Sequence, residues 1–344
     1  MEHLTPSKTN PIYSAAVISR KTGKRYAIQS INYPESKFVT DLSLAEKDKQ
    51  LAQSAQIKMM NAKTDDGYFS GIIDVLDRVF IYANDGEMSD EVFRGFVWER
   101  PYSSKVEKEI TLTCYDNLIY MMKSEISEYF SAGKSTQAIL NTLCQKWGVS
   151  LDFKYKSINH PKLPLSGNLA DVILSDVLDE VKKQTGTKYV VRSIQDKVTV
   201  SAVGSNDTVY EIKRADGAAI STHSTVSMDN VVTKVVITGS TDDNDKTAIE
   251  AVVTGDTAKY GTLQQIQSKS KDTTLAEAKA EANTTLKENG SPKRTYEVSA
   301  IDIPWVHKGD KVKVVAGDMS QMYIVLSVTH NVTEKTMDLE VELP

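Results

Sequence analysis

Short runs of alternating apolar and polar residues fill the first third of the chain. From Ile12 to Leu44 the period of two recurs in "IYSAAVIS", "KRYAIQSI" and "KFVTDLSL", separated by the turn compositions "RKTG" and "NYPES", so three strands are predicted. Ala45–Lys63 has helix formers, but its apolar positions hold no single 3.6-residue stripe, and its pattern leaves its state open. "YFSGIIDVLDRVFIYAN" and "DEVFRGFVWE" read as strands. In "EKEITLTCYD", Ile110, Leu112 and Cys114 share one face, as in a half-buried strand. A first β domain is predicted to close near residue 115.

The period then changes. "YDNLIYMMKSEI" and "STQAILNTLCQKWG" space their apolar residues as helices do, with Ser135 placed to cap and Gly148 to stop the second. In "NLADVILSDVLDEVKKQTG", Leu169, Val172, Ile173, Val177 and Val181 share a face, and Gly186 terminates. A hairpin, "TKYVVRSIQDKVTVSAVG", follows. Residues 116–212 are therefore expected to form a small α+β insert. Strand patterns return in "VVTKVVITG", "AIEAVVTG", "RTYEVSAIDI" and "TMDLEVEL", interrupted by a helix in "TLAEAKAEANTTLKENG". There Thr274 and Glu277 have capping-box spacing and Gly290 lies past the end.

One stretch is repeated. "DRVFIYANDGEMSDEVFRGFVWE" (Asp77–Glu99) has a shortened echo in "DKVKVVAGDMSQMYIVLSVT" (Asp310–Thr329). Asp77, Val79, Ala83, Asp85, Met88 and Ser89 meet Asp310, Val312, Ala316, Asp318, Met319 and Ser320, and small gaps bring Phe93 opposite Tyr323. A repeat of unlike residues at fixed spacing marks duplicated structure rather than shared composition. It predicts two equivalent hairpins with Val79 and Val312, and Phe93 and Tyr323, turned inward.

Composition narrows the function classes. The 344 residues have room for two or three domains, and a net charge of −5 gives no basic footprint for nucleic acid or an anionic membrane. "MEHLTPSKTN" has neither a basic nor an apolar leader region, and no apolar run approaches the roughly 20 residues of a membrane helix; a soluble protein made in a cytoplasm is expected. Cys114 and Cys144 make no disulfide framework and are expected as buried thiols. "GKST" (Gly133–Thr136) lacks the earlier glycine of a phosphate loop, since Glu128 stands there, and reads as a capped helix start. "TDDNDKT" (Thr241–Thr247) lacks the glycine and glutamate of a calcium loop and reads as an acidic solvated loop. His3, His160, His223, His307 and His330 have no metal-ligand spacing. For His330 a packing or interface role is favoured over a catalytic one. Trp98, Trp147 and Trp305 read as core. No catalytic, cofactor-binding or metal residue is expected.

"LDRVFIYANDGEMSDEVFRGFVWERP" and "ITLTCYDNLIYMMKSE", followed by "VVTKVVITG", "YGTLQQIQ" and "AKAEANTTLKENGSPKRTYEVSAID", resemble the baseplate hub proteins of contractile phage tails in the XkdQ/YqbQ group of Gram-positive prophages and phage-tail-like bacteriocins. The similarity covers nearly the whole chain and rests on the order and spacing of short motifs. It implies that the stretch around Gln53–Met60 is a strand. It also implies a mainly β fold with an α+β insert: a tube-like β-barrel or sandwich domain at 1–115, the insert at 116–212 and a second tube-like domain at 213–344. The implied function is structural and not enzymatic. A homotrimer would form a pseudo-hexameric ring joining the six-fold tail tube to the three-fold spike. The expected partners are tube protein, spike protein, a small LysM-containing baseplate protein and tape measure, with no specific nucleic acid and no membrane anchor. The expected place is a virion tail or tail-like particle assembled in the bacterial cytoplasm. The rival reading is a tail-associated peptidoglycan-active enzyme or cell-wall-binding module.

Overall fold

A computed structural model describes residues 4–6, 11–30, 37–102, 108–153, 155, 157–241, 247–269 and 273–344. Contacts divide the chain into two compact units, Met1–Thr222 with Glu297–Pro344, and His223–Tyr296. This differs from the expected three-way division. Residues 116–212 lie in the larger unit, and the smaller unit lies inside the expected 213–344 domain.

The larger unit begins with β1 (Leu4–Pro6), β2 (Ile12–Ile18), β3 (Arg25–Gln29), β4 (Val39–Glu46) and β5 (Ser54–Met60). A two-residue pair, β6 (Lys63–Thr64) and β7 (Gly67–Tyr68), and one helical turn, α1 (Phe69–Ile72), lead into β8 (Arg78–Asn84), β9 (Ser89–Glu99) and β10 (Glu109–Tyr115). Within the open stretch Ala45–Lys63, β5 is the implied strand. The insert follows as α2 (Ile119–Met122), β11 (Glu125–Phe130), α3 (Thr136–Lys146), β12 (Leu151–Phe153) and β13 (Leu163–Asn168). Next come a helix that starts as α4 (Leu169–Asp171), widens to a π-helix over Val172–Leu178 and ends as α5 (Asp179–Thr185), and the hairpin of β14 (Tyr189–Ile194) and β15 (Lys197–Ala202).

Within the insert, α3 begins where Ser135 Oγ accepts from Ala138 N, and Gly186 closes α5 in the left-handed region at φ 76°, as the caps predicted. The first expected helix shrinks to the single turn of α2. "EISEYF" is instead β11, paired antiparallel with β13, because a partner some forty residues on supplies the ladder that local propensity does not anticipate. Leu118, Ile139, Leu143, Leu169, Val177 and Val200 belong to one buried cluster, so the insert has its own core.

The chain continues through β16 (Val209–Lys213) and β17 (Ala219–Ser227), and after the smaller unit through β21 (Lys293–Ile301), β22 (Lys311–Ala316), β23 (Met319–Asn331) and β24 (Thr336–Glu342). Two strand sets result, with one spatial order. The first is β4-β5-β10-β9-β8 and the second β17-β21-β24-β23-β22. In each, the chain visits the strands in the same sequence.

The backbone repeats in detail. Before each hairpin an aspartate closes a tight turn. Asp77 Oδ2 accepts from Asp74 N and Asp310 Oδ2 from His307 N, both at 2.9 Å. Leu76 N donates to Val97 O at 2.7 Å and Val97 N to Asp77 O at 2.9 Å; Gly309 N donates to Val325 O and Val325 N to Asp310 O, both at 2.8 Å. Leu76 (φ 66°) and Gly309 (φ 87°) are both left-handed. Further along, the register of β9 against β10 skips Trp98 between Val97–Cys114 and Glu99–Thr113, and that of β23 against β24 skips Leu326 between Val325–Val341 and Ser327–Glu340. A bulge at the same place in both copies is a shared design, since bulges re-aim a strand.

Val79 and Val312 are both buried, as the echo predicts. The expected match of Phe93 with Tyr323 needs correction. Tyr323 pairs with Val312, whereas Val79 pairs with Gly95 and Phe93 with Ile81. A bulge at Val92 moves Phe93 out of step. Its ring reaches back instead, with Cζ 2.7 Å from where a Cβ on Gly95 would stand, and so fills the space that Tyr323 fills in the second copy.

Among the described residues the larger unit forms no closed barrel. Its strand order runs openly from β1-β16-β22-β23 through β4-β5-β10-β9-β8 to β2-β3. The two strand sets join edge to edge where β23 pairs with β4, and β17, β21 and β24 branch off at β23.

The smaller unit has β18 (Lys234–Thr241) between β19 (Thr247–Thr254) and β20 (Gln264–Ser268), with a turn α6 (Thr257–Tyr260) and the helix α7 (Leu275–Asn289). The predicted capping box is present at Thr274 and Glu277. Ala278 and Ala282 of α7 bury Val235 and Ile237 of β18, so this unit closes a core of its own.

Candidate functional site

The seam between the strand sets concentrates the buried polar groups. Ser43–Glu46 of β4 pair antiparallel with Val328–Asn331 of β23, and Val332 N extends the ladder to Leu42 O at 3.0 Å. The alternation that buries Leu42 and Leu44 also turns Glu46 inward. Glu46 Oε1 meets His307 Nδ1 at 2.6 Å. Burial alone would raise this carboxyl, but His307, with Arg192 and Lys308 behind it, holds it down to about 2. Lys308 Nζ donates to the carbonyls of Lys47 and Gln50, and burial lowers its pKa against the pull of Glu46 and Asp116.

Asp116 accepts from Gln53 N at 3.0 Å and Leu118 N at 2.9 Å, yet burial pushes it up to about 8. Arg192 of β14 reaches Asp310 at 3.3 Å, tying the insert to the second strand set. A cavity of about 220 Å³ opens among Glu46, Asp116, Arg192, Trp305 and His307. Another, of about 310 Å³, lies between the π-helical turn at Leu174–Leu178 and the seam at Lys308–Gly309.

A second network crosses the seam in full burial. Tyr13 Oη donates to Asp302 Oδ2 at 2.5 Å, His330 Nδ1 meets Asp302 Oδ1 at 2.6 Å, and His330 Nε2 meets Val306 O at 3.1 Å. Val306 O can only accept, so Nε2 donates to it, and the Asp302 carboxyl beside Nδ1 favours the charged ring. Burial opposes that charge, but the Asp302 carboxylate outweighs it and raises the pKa of His330. His330 thus has the interface role expected of it. Trp305 Nε1 donates to Asp85 Oδ2 at 2.7 Å, bringing the turn of the first hairpin onto the second strand set.

The other candidates lie apart. Cys114 and Cys144 are buried and free; burial pushes both thiols up, Cys144 to about 11. His160 is buried in the insert, with Nε2 at 2.9 Å from Thr136 Oγ1, and His223 is exposed on β17. Ser135 of "GKST" is the helix cap. Trp98 and Trp147 pack against the insert core. His3 and the acidic centre of "TDDNDKT" lie outside the described residues. Among the described residues no three His, Cys, Asp or Glu side chains gather as metal donors, and no helix is long and apolar enough to cross a membrane.

The seam residues Tyr13, Glu46, Asp116, Arg192, Asp302 and Lys308 were not singled out in the sequence. Only Glu46 carries a local signal, its place in the inward register of Leu42 and Leu44. The seam's polar groups bond largely to one another.

Residues 44–342, nearly the whole chain, match the family model described as YQBQ-like. The chain belongs to the YQBQ-like family. It is similar to the phage-like element PBSX protein XkdQ of Bacillus subtilis (strain 168), with 26% identity over 259 residues that cover 73% of this chain and 78% of that one. Among solved structures, the 43 kDa tail protein of prophage MuSo2 from Shewanella oneidensis superposes with a TM-score of 0.65 at 13% identity, covering 96% of this chain and 97% of the other. The tail protein from Neisseria meningitidis MC58 gives the same score and identity, covering 96% of each chain. The YQBQ-like chain therefore has a phage-tail-protein fold over nearly its full length.

Proposed function

We propose that this YQBQ-like protein is the structural hub of a contractile-tail baseplate, a homotrimer whose pseudo-hexameric ring joins the six-fold tail tube to the three-fold spike. The observation that carries the reading is the duplicated strand set, with its shared aspartate turn, left-handed residue and bulge. Two like domains per chain and three chains offer six like surfaces on one side of a ring while keeping three-fold symmetry on the other. The symmetry of such a ring is closed. The two tube-like domains are the first strand set and the second, and the insert at 116–212 is carried on the first. The reading requires no chemistry, in keeping with a seam whose buried groups satisfy one another. Tube, spike, LysM-containing protein and tape measure are its proposed partners, in a tail or tail-like particle assembled in the host cytoplasm. Cryo-electron microscopy of the assembled particle tests it: three copies around the bore, with the two strand sets alternating, are expected. Six copies in the ring, or one strand set facing the bore, would overturn it.

A further inference from the structure

We propose that the turn before the first hairpin, with Val75, Leu76 and the neighbouring Tyr102, is a contact face between copies of this chain, covered by the second strand set of the next copy. The inference rests on the ring reading above and names a surface at which that ring would close.

The two equivalent turns differ in what lies over them. The hydrogen bonds that match Leu76 with Gly309 also put Val75 where Lys308 is. In the second copy the turn is covered. Lys308 Nζ donates to the carbonyls of Lys47 and Gln50, in the connection between β4 and β5 of the first strand set. Gly204 N of the insert's side donates to Gly309 O at 2.7 Å, and Val190 of β14 fills the space beside the Gly309 Cα. Lys308 is only 9% exposed as a result. In the first copy the same two positions carry open apolar side chains, with Val75 42% and Leu76 38% exposed.

Tyr102 extends this face. Its hydroxyl donates to Asp74 Oδ1 at 2.6 Å, the same oxygen that accepts from Val75 N at 2.7 Å, and the Arg100 guanidinium lies 4.2 Å from its ring centroid. The ring is 65% exposed, yet these contacts fix it beside the turn. Leu76 adds a second mark. It holds a left-handed backbone at φ 66° where its counterpart is a glycine, a strained conformation for a bulky residue. Its side chain is not buried in return, and strain kept without burial points to a use outside the fold.

Internal symmetry names the occupant. Within one chain the first strand set meets the second across the seam, and its β4–β5 connection covers the second set's turn. Where the two sets alternate around a closed ring, each first set also has a second set on its other side, supplied by the next copy. On that side the turn at Asp74–Asp77 takes the place that His307–Asp310 takes at the seam. Val75 and Leu76 in place of Lys308 and Gly309 make this contact apolar, as the centre of a stable interface is.

The test places the photoreactive residue p-benzoylphenylalanine at position 75 of the full chain, in assembled particles. Irradiation should give two-chain adducts of this protein at least tenfold above unirradiated particles. Adducts only with a different component, or none, in particles whose ring has three copies would overturn this face and leave the ring standing. Particles without such a ring would overturn both readings. As a second measurement, Leu76→Asp puts a charge on the face with a residue that accepts left-handed backbone. It should leave the melting curve of the purified chain unchanged while lowering its incorporation into particles at least tenfold; unchanged incorporation would overturn the contact.

Discussion

The hairpins β8–β9 and β22–β23 follow one backbone plan and solve its packing differently. Both begin from a buried aspartate turn and bulge at the same step. At the position facing the first valine, however, the second copy has Tyr323 and the first has Gly95 roofed by Phe93. The backbone geometry is held while the side chain that fills a given space comes from a different residue. Truncation of either aromatic is the severest way to test this. Phe93→Ala and Tyr323→Ala should each cost about 3–5 kcal/mol, read from urea unfolding. A loss under about 1 kcal/mol at either would mean that its ring does not fill the site assigned to it.

One glycine in each copy should be sensitive because a neighbour approaches it closely. A Cβ on Gly95 collides with the Tyr115 carbonyl of β10, and one on Gly309 stands 2.7 Å from Val190 Cγ1 in addition to needing φ 87°. Gly95→Ala and Gly309→Ala should each cost about 1–3 kcal/mol. Differential scanning calorimetry checks this, and unchanged melting of either variant would show that the close approach relaxes freely.

Two buried histidines should give opposite pH dependences. His330 has a raised pKa, so its contribution is full below the unfolded value of about 6.5 and is lost as pH rises through the folded one. Asp116, raised to about 8, costs stability progressively from about pH 4, where the unfolded chain gives up that proton, to about pH 8, so it opposes the acid-side loss and adds only to the first part of the alkaline one. His160 is pulled down by burial; its contribution is full above about 6.5 and is lost on acidification. Stability should therefore fall from neutrality toward pH 9 in a way that His330→Gln flattens, and fall toward pH 5 in a way that His160→Gln flattens. Denaturant midpoints across pH measure both, and a slope at pH 7–9 unaltered by His330→Gln would remove that histidine from the account. The smallest effect is expected at Leu76, which adopts the left-handed conformation that glycine holds in the other copy. Leu76→Gly should change stability by less than about 1 kcal/mol, as relief of backbone strain offsets the added freedom of the unfolded chain.

Much of this comparison was legible in the sequence because aspartate turns, alternation and capping residues act locally. Asp77 and Asp310 could be aligned by eye, and Ser135 and Thr274 announced their helices. Two kinds of feature could not be read. The pairing of β23 with β4, and of β11 with β13, depends on partners far along the chain, so Glu125 and Ile126 read as the end of a helix until their partners were in view. The smaller unit interrupts the second strand set between β17 and β21, where the first set has only the short turn from β4 to β5. Both sides of that insertion share one strand-like composition, which hides it. The one-residue bulge at Val92 is equally silent, and it alone put Phe93 out of register with Tyr323.

The seam also has a consequence for how the protein is made. Tyr13 and Asp302 are separated by 289 residues, so the edge of β4 must wait for the C-terminal strands to leave the ribosome. At typical synthesis rates that interval is roughly 15–60 s, far longer than a hairpin needs to form. Once β10 is complete at Tyr115, and until β23 follows, the nascent chain presents a finished strand set with one bare edge. That edge is the point at which two chains growing on one message could pair with each other in place of themselves.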